Sequence, residues 1–128
     1  MTISGDFPHI TNRRITSNGI ELNIAEQGDA DAPLIVMLHG FPESWFSWRH
    51  QFAPLAAAGY HVVAPDMRGY GESDKPSDIS AYNQVEIVND VKGLVAALGY
   101  ETAIVIGHDW GGPTAWSCAL WHPEIFSA

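Results

Sequence analysis

The segment spanning residues 104–112 constrains the fold of this chain more than any other stretch. It reads Ile-Val-Ile-Gly-His-Asp-Trp-Gly-Gly, a β-branched run followed by a carboxylate set between glycines, and a helical pattern begins near Pro113. In so tight a turn a Cβ at Gly107 or Gly111 would collide with the opposite segment, because the two backbones lie almost in contact. The pattern predicts a strand, a sharp turn and a helix, with Asp109 lifted out of the sheet at the apex on a strained backbone.

A carboxylate at such an apex favours one kind of chemistry. It is a weak base but a competent nucleophile toward saturated carbon that carries a leaving group, such as the carbon of an epoxide or an alkyl halide. The attack would form an ester with Asp109, which water must then hydrolyse at the aspartyl carbonyl. Because the negative charge of this second step develops on an oxygen of Asp109 itself, we expect backbone N–H groups aimed at it. The alternative interpretation is a solvated aspartate in a coincidental glycine-rich turn.

Composition narrows the class of protein. The 128 residues, 46% of them hydrophobic, suffice for one core. Six basic against 15 acidic side chains give a formal charge of −9, which argues against nucleic acid and anionic membranes as partners. The start of the chain shows no basic region followed by an apolar one, and no apolar run is long enough to span a membrane, so we expect a cytoplasmic protein. The single cysteine, Cys118, is expected to be a packing residue.

Strands and helices alternate along the rest of the chain. After a loosely ordered arm over residues 1–11, two antiparallel strands over 13–16 and 20–26 are expected around the turn signal Asn18-Gly19. The apolar run 34–38 predicts a central parallel strand covered on both faces. The remaining elements are expected as a helix over 44–58, a strand over 60–64, a helix over 82–98, a strand over 103–106 and a helix over 114–121. This order predicts an α/β fold with a mainly parallel sheet flanked by helices.

Two helices have faces that the sequence assigns. In the helix 44–58, the aromatic and aliphatic residues at helical spacing are expected to be core rather than a substrate platform; they are Trp45, Trp48, Phe52 and Leu55. In the helix 82–98, the buried stripe is expected to consist of Val88, Val91, Val95 and Leu98. Its solvated side is expected to carry Glu86, Asp90 and Lys92.

A further loop is expected at the edge of the sheet that carries Asp109, because the carboxyl ends of parallel strands meet at one edge. It follows the strand 34–38 and begins His39-Gly40-Phe41-Pro42. Gly40 permits an unusual turn and Pro42 fixes the next backbone angle, which would hold the Phe41 N–H in one direction. For His39 we expect hydrogen bonds that brace the loop, rather than a role as catalytic base.

The loop after the strand 60–64 contains Gly69 and Gly71, the spacing with which a dinucleotide-binding fingerprint begins. Position 74 is aspartate where the third glycine is needed, and no helix follows directly. We therefore expect no nucleotide, no other cofactor and no metal. Asp66 and Arg68 are expected to tie this loop together.

The order of elements, together with the sharp turn at Asp109, resembles the N-terminal half of an α/β-hydrolase core. Over nearly all of residues 13–125 the chain is similar to soluble epoxide hydrolases, which are related to haloalkane dehalogenases. The motifs that carry the resemblance are HGFPESW at 39–45, WRHQ at 48–51, APDMRGYGES at 64–73 and GHDWGG at 107–112. Four motifs in the right order are far more specific than any one of them.

The resemblance implies roles for individual residues. Asp109 would be the nucleophile that opens the epoxide, and the backbone N–H groups of Phe41 and Trp110 would form the oxyanion hole. Structural roles at the site are implied for His39, Gly40, Pro42, Gly107, His108, Gly111 and Gly112. In the family a histidine after the last strand activates the water, an acidic residue that follows one of the later strands orients that histidine, and two cap-domain tyrosines donate to the epoxide oxygen. On this basis residues 1–128 form a partial core domain that lacks the cap and the C-terminal half of the core, and we expect no turnover by the chain alone.

Two other functions stay open at this point. A haloalkane or haloacid dehalogenase has the same fold, and the indole N–H of Trp110 could hold a departing halide. By the resemblance, haloalkane enzymes usually carry a polar residue at position 41 and relatives that act on fluoroacetate carry arginine at position 110, so Phe41 with Trp110 favours a small-molecule epoxide. The third function is that of a non-catalytic truncated module. Because the strand 103–106 would present an open edge, we also expect self-association through that edge.

Overall fold

The computed structural model of the chain describes residues 7–128. Of the arm expected over residues 1–11, the first six lie outside the described residues. Ile10 is buried against the sheet and the first strand begins at Thr11. Ordered structure therefore starts earlier along the chain than the sequence predicted.

Within residues 7–128, five strands form one mixed sheet in the order β1-β2-β4-β3-β5. The strands are β1 (Thr11–Ser17), β2 (Ile20–Gln27), β3 (Leu34–Leu38), β4 (His61–Pro65) and β5 (Ile104–Gly107). β2 pairs antiparallel with β1 and β4, whereas β3 pairs parallel with both β4 and β5. This arrangement confirms the predicted hairpin followed by a mainly parallel sheet. The loops after β3, β4 and β5 consequently leave the sheet at the same edge.

Three α-helices in the described part of the chain cover the sheet, and each differs from its predicted bounds. They are α1 (Phe52–Ala57), α2 (Gln84–Ala97) and α3 (Gly111–Trp121), with 3-10 turns at Trp45–Trp48 and Ile79–Tyr82. The continuous helix predicted over 44–58 is wrong. Pro54 has no N–H to donate, and its ring would clash with the carbonyl of a helical residue four positions earlier. Pro54 is therefore accommodated only in the first turn of a helix, and α1 begins at Phe52. Pro113 holds the same third position of α3, which therefore starts at Gly111.

The core lies on both faces of the sheet, as the apolar run of β3 predicted. Val36 and Leu38 of β3 pack with the buried residues of α2 and α3 on one face. Ile35 and Met37 pack with Trp45 and Phe52 on the other. Cys118 is buried in the first cluster, and burial raises the pKa of its thiol to about 12.

One predicted surface residue is in fact buried. Asp90, expected on the solvated side of α2, is 3% exposed. Arg68 donates to both carboxylate oxygens of Asp90, with Nε bonded to Oδ2 and Nη2 bonded to Oδ1, each at 2.8 Å. The burial is tolerated because the two charges satisfy each other in bidentate geometry. Arg68 also donates to the carbonyl of Ala81, in the 3-10 turn Ile79–Tyr82, at 2.9 Å. It therefore ties its loop to that turn and to α2, whereas the sequence predicted only that Arg68 ties the loop together.

The outer edge of the sheet is less open than the sequence implied. Phe126 forms a parallel bridge with Ala103, and the N–H of Val105 donates to the carbonyl of Ala128 at 2.9 Å. The outward face of α3 stays uncovered within the described chain, with Trp116 72% and Leu120 71% exposed. None of the helices over residues 7–128 is both long and apolar enough to cross a membrane.

Candidate active site

Asp109 occupies the turn between β5 and α3 in a strained conformation. Its φ is +57°, in the left-handed region that side chains other than glycine rarely adopt, which costs of order 1–3 kcal/mol. The close approach that imposes this geometry is visible on both sides. A Cβ added to Gly107 would overlap the carbonyl oxygen of Gly111, and one added to Gly111 would overlap the carbonyl oxygen of Leu38. The carboxylate is therefore presented outward at the edge of the sheet, where it is exposed.

Two backbone amides converge on the Asp109 carboxylate. The N–H of Phe41 donates to Oδ2 at 3.1 Å, and the N–H of Trp110 makes the second hydrogen bond. The hydrogen bonds from Trp110 and then from Phe41 lower the pKa of Asp109, and they outweigh the opposing effect of burial. The carboxylate is thus anionic at neutral pH, with donors already aimed at the atoms that would carry charge in an ester hydrolysis.

The loop after β3 holds the Phe41 amide in place. Gly40 lies flat against Asp109, and a Cβ there would overlap the Asp109 side chain. The N–H of Gly40 donates to Oε1 of Glu43 at 3.1 Å, and the N–H of Glu43 donates back to the carbonyl of Gly40 at 2.9 Å. The peptide that joins Phe41 to Pro42 is cis.

His39 is buried beneath this loop, only 2% exposed. Its Nε2 accepts a hydrogen bond from the N–H of Met67 at 2.9 Å, so the proton must sit on Nδ1, which lies 2.8 Å from the carbonyl oxygen of Gly40. Burial lowers the pKa of His39, against the raising effects of the Gly40 carbonyl and of the nearby carboxylates. The ring is therefore a neutral donor to one loop and an acceptor from the next.

The other histidines do not complete a catalytic pair with Asp109. His108 adjoins it in sequence, but its side chain is 70% exposed and its Nδ1 lies 3.9 Å from Oε1 of Glu43. His61, at the start of β4, lies 2.9 Å from Glu26, and His122 beyond α3 lies 3.5 Å from Glu124. Within residues 7–128 no cluster of three or more potential metal ligands occurs.

The structure also places Tyr70 at the site, a residue for which the sequence predicted no role. Its ring meets that of His39 edge-on with centroids 5.0 Å apart, and that of Phe41 at 6.4 Å. Burial and then the negative charge of Asp109 raise the pKa of Tyr70. A tyrosine between two glycines in a loop at the carboxyl end of a parallel strand was the available signal. With Trp110 and Gly40, Tyr70 lines a cavity of about 240 Å³ beside the turn.

Asp66, at the end of β4, ties three segments together below the site. Its carboxylate accepts from the N–H of Trp45 at 2.9 Å, the side-chain amide of Asn23 at 3.0 Å and the N–H of Glu72 at 2.9 Å. It is 1% exposed and takes no part in the surface that Asp109 faces. The geometry agrees with the structural role that the sequence predicted for it.

Comparison with known proteins identifies the same fold family as the sequence motifs. Residues 33–128 match the family described as alpha/beta hydrolase fold. The AB hydrolase superfamily protein YfhM of Bacillus subtilis is 52% identical over 110 residues, which cover 86% of this chain and 38% of that protein. Epoxide hydrolase A of Mycobacterium tuberculosis is 45% identical over 118 residues, 92% of this chain and 37% of the relative. A crystal structure of an epoxide hydrolase from Vigna radiata superposes with a TM-score of 0.92 at 41% identity, over 97% of this chain and 38% of that one.

The fold and these matches together define the class: the chain belongs to the α/β-hydrolase fold family, a family of hydrolases. Within it, the chain is similar to epoxide hydrolases, which confirms the resemblance found in the sequence motifs. It spans less than two fifths of the length of the relatives named above.

Proposed function

We propose that the chain carries the nucleophile and oxyanion hole of an epoxide hydrolase, which converts an epoxide and water into a 1,2-diol. One observation supports this most directly: Asp109 stands at a left-handed apex with the N–H groups of Phe41 and Trp110 on its carboxylate. Several similar proteins are named epoxide hydrolases, which supports an epoxide as the substrate class.

The reaction proceeds in two steps at Asp109. A carboxylate oxygen attacks an epoxide carbon and the C–O bond of the ring breaks. The released alkoxide takes up a proton, from the cap tyrosines that the resemblance implies or, in residues 1–128 alone, from solvent, which leaves a 2-hydroxyalkyl ester. Water then adds to the aspartyl carbonyl, and the amides of Phe41 and Trp110 stabilise the oxyanion. Removing one such donor typically costs about 10²–10³ in rate. Collapse of this intermediate expels the diol and restores the carboxylate.

The surrounding residues act on geometry. Gly107 and Gly111 allow the sharp turn, whereas a Cβ at Gly112 would meet no neighbouring atom. Gly40 and Pro42 shape the loop that presents the Phe41 amide. His39 braces that loop, and His108 has a structural role beside the apex. By the resemblance, the base that activates the water, its acidic partner and the two epoxide-binding tyrosines belong to later segments of the family fold. Residues 1–128 alone therefore form the ester and do not turn over.

Two other functions are compatible with the same turn, and mass spectrometry distinguishes them from the first. A haloalkane or haloacid dehalogenase would use the same carboxylate, and the indole of Trp110, 69% exposed, is accessible to a halide. A non-catalytic module would keep the turn and form no ester. The apolar Phe41 and the names of the relatives favour the epoxide.

Intact mass spectrometry after incubation with a terminal epoxide separates the three. An epoxide hydrolase gives one adduct per chain, with peptide mapping to Asp109 and none in the matched Asp109→Asn variant. The amide is isosteric and not nucleophilic, so this control keeps the geometry. Release of bromide from a bromoalkane would instead indicate a dehalogenase. Absence of any adduct would favour the module, and sustained diol formation would overturn the assignment of the base to later segments.

The uncovered face of α3 and the short pairing beyond β5 support self-association of this chain. Trp116 and Leu120 expose apolar area that a second copy would bury. Sedimentation velocity should show a species larger than a monomer, and a stable monomer with sharp cooperative melting would contradict this.

The cytoplasmic location stays a prediction from the sequence, and cell fractionation checks it.

A further inference from the structure

The carbonyl of Gly40 and the N–H of Phe41 belong to one peptide unit. Because that unit is planar, its carbonyl and its N–H point in opposite directions and must rotate together. The N–H end donates to Oδ2 of Asp109 at 3.1 Å. The carbonyl end is held from the other side by Nδ1 of His39 at 2.8 Å and by the N–H of Glu43 at 2.9 Å. Whatever anchors the carbonyl therefore also aims the amide.

His39 is itself held in one orientation. Its Nε2 accepts from the Met67 N–H at 2.9 Å, and Tyr70 packs edge-on against its ring. Met67 follows Asp66, whose carboxylate takes hydrogen bonds from three segments. A continuous series of contacts thus runs from the core of the loop after β4, through the imidazole, to the peptide that faces Asp109.

We propose that His39 is a positioning residue of the oxyanion hole, which acts as a neutral Nδ1–H donor that aims the Phe41 amide at Asp109. This rests on the proposed function for its catalytic meaning, but the aiming itself is a property of the folded chain. The alternative is that His39 stabilises the loops in general, through Met67 as much as through Gly40. The two accounts differ in which ring nitrogen matters.

Two variants separate the nitrogens. In His39→Asn the side-chain amide nitrogen takes the place of Nδ1 and can still donate to Gly40. In His39→Gln the amide oxygen takes the place of Nε2 and can still accept from Met67, while the bond to Gly40 is lost. Deuterium exchange of the Phe41 amide at neutral pH, followed by NMR on the intact chain, reports how well that amide is held.

The expected result is a loss of protection of about tenfold at Phe41 in His39→Gln, the size of one ordinary hydrogen bond, with protection retained in His39→Asn. Amides of β3 such as that of Val36 should keep their protection in both. If His39→Gln protects Phe41 as well as the wild-type chain does, the proposal is overturned. Equal loss at Phe41 and Val36 in both variants would overturn it too, because His39 would then be a general fold residue.

A chemical readout tests the catalytic meaning separately. Hydroxylamine attacks the carbonyl of the alkylated Asp109, passes through the same oxyanion, and leaves the hydroxamate while the diol departs; it needs no histidine base. Cleavage of the ester should be about tenfold slower in His39→Gln than in His39→Asn. Equal rates would overturn the catalytic part of the proposal. If no chain forms an ester but the exchange pattern holds, the proposed function fails and the positioning of the amide stands.

Discussion

The buried pair of Arg68 and Asp90 offers the sharpest prediction on stability. Asp90→Asn removes the negative charge from a site where both side chains are at most 5% exposed, and it leaves the guanidinium without a counter-charge. Breaking such a pair by changing one partner costs about 3–5 kcal/mol. A chain of this size has a total stability of roughly 5–15 kcal/mol, so the loss is a large fraction of it.

Urea unfolding followed by circular dichroism measures the effect. With a slope of about 2 kcal/mol per M, a loss near 4 kcal/mol lowers the midpoint by about 2 M. Lys92→Gln, on the exposed side of the same helix, is the matched control and should change stability by no more than about 0.5 kcal/mol. A loss below about 1 kcal/mol for Asp90→Asn would refute the reasoning, because the pair would then be no better than a solvated one.

Three further predictions follow from the same contacts. Gly111→Ala should abolish epoxide labelling of Asp109, since a Cβ there overlaps the carbonyl of Leu38. Gly59→Ala strains a glycine whose φ is +101° but meets no neighbouring atom, so it controls for a general loss of stability and should leave labelling intact; equal labelling of the two variants would show that the turn relaxes freely. The midpoint at which acidification halves the labelling rate should lie below about 3.9, the ordinary pKa of an aspartate, because the hydrogen bonds from Trp110 and Phe41 lower the pKa of Asp109; a midpoint near pH 5 would contradict those hydrogen bonds. Cys118, buried and with a pKa raised to about 12, should resist iodoacetamide at pH 8 in the folded chain and react in urea, and rapid reaction of the folded chain would count against its burial.

The turn at Asp109 was predictable because its cause is local. Glycine is required at positions 107 and 111 because a Cβ there would clash with the facing backbone. The spacing of the glycines in the sequence already implies this clash. The apolar run of β3 was predictable for a similar reason, since a strand covered on both faces has no polar side to show. Features that a few neighbouring residues determine could be read directly.

The predictions that were wrong or incomplete involve interactions between distant positions, or one residue that overrides a local pattern. Asp90 looks like a surface residue of a helix, and only its pairing with Arg68, 22 positions earlier, makes burial favourable. The apolar spacing from Trp45 to Leu55 is helical, but Pro54 divides the segment. Tyr70 lies between two glycines, which indicates a loop but does not say what its ring contacts; its place at the site follows from its packing against His39.

The single carboxylate of Asp66 has a consequence for engineering this scaffold. It is the shared acceptor of Asn23, Trp45 and Glu72, which belong to three separate stretches of the chain. Asn23, on β2, donates through its side chain, whereas Trp45 and Glu72 donate through their backbone N–H groups. A transplanted loop must therefore keep the backbone path at positions 45 and 72, because a shifted path would leave the buried Asp66 carboxylate short of a donor. Designs that change loop length near positions 45 or 72, or that replace Asn23, should therefore lose stability, whereas side-chain changes that keep both backbone N–H groups in place should retain these hydrogen bonds.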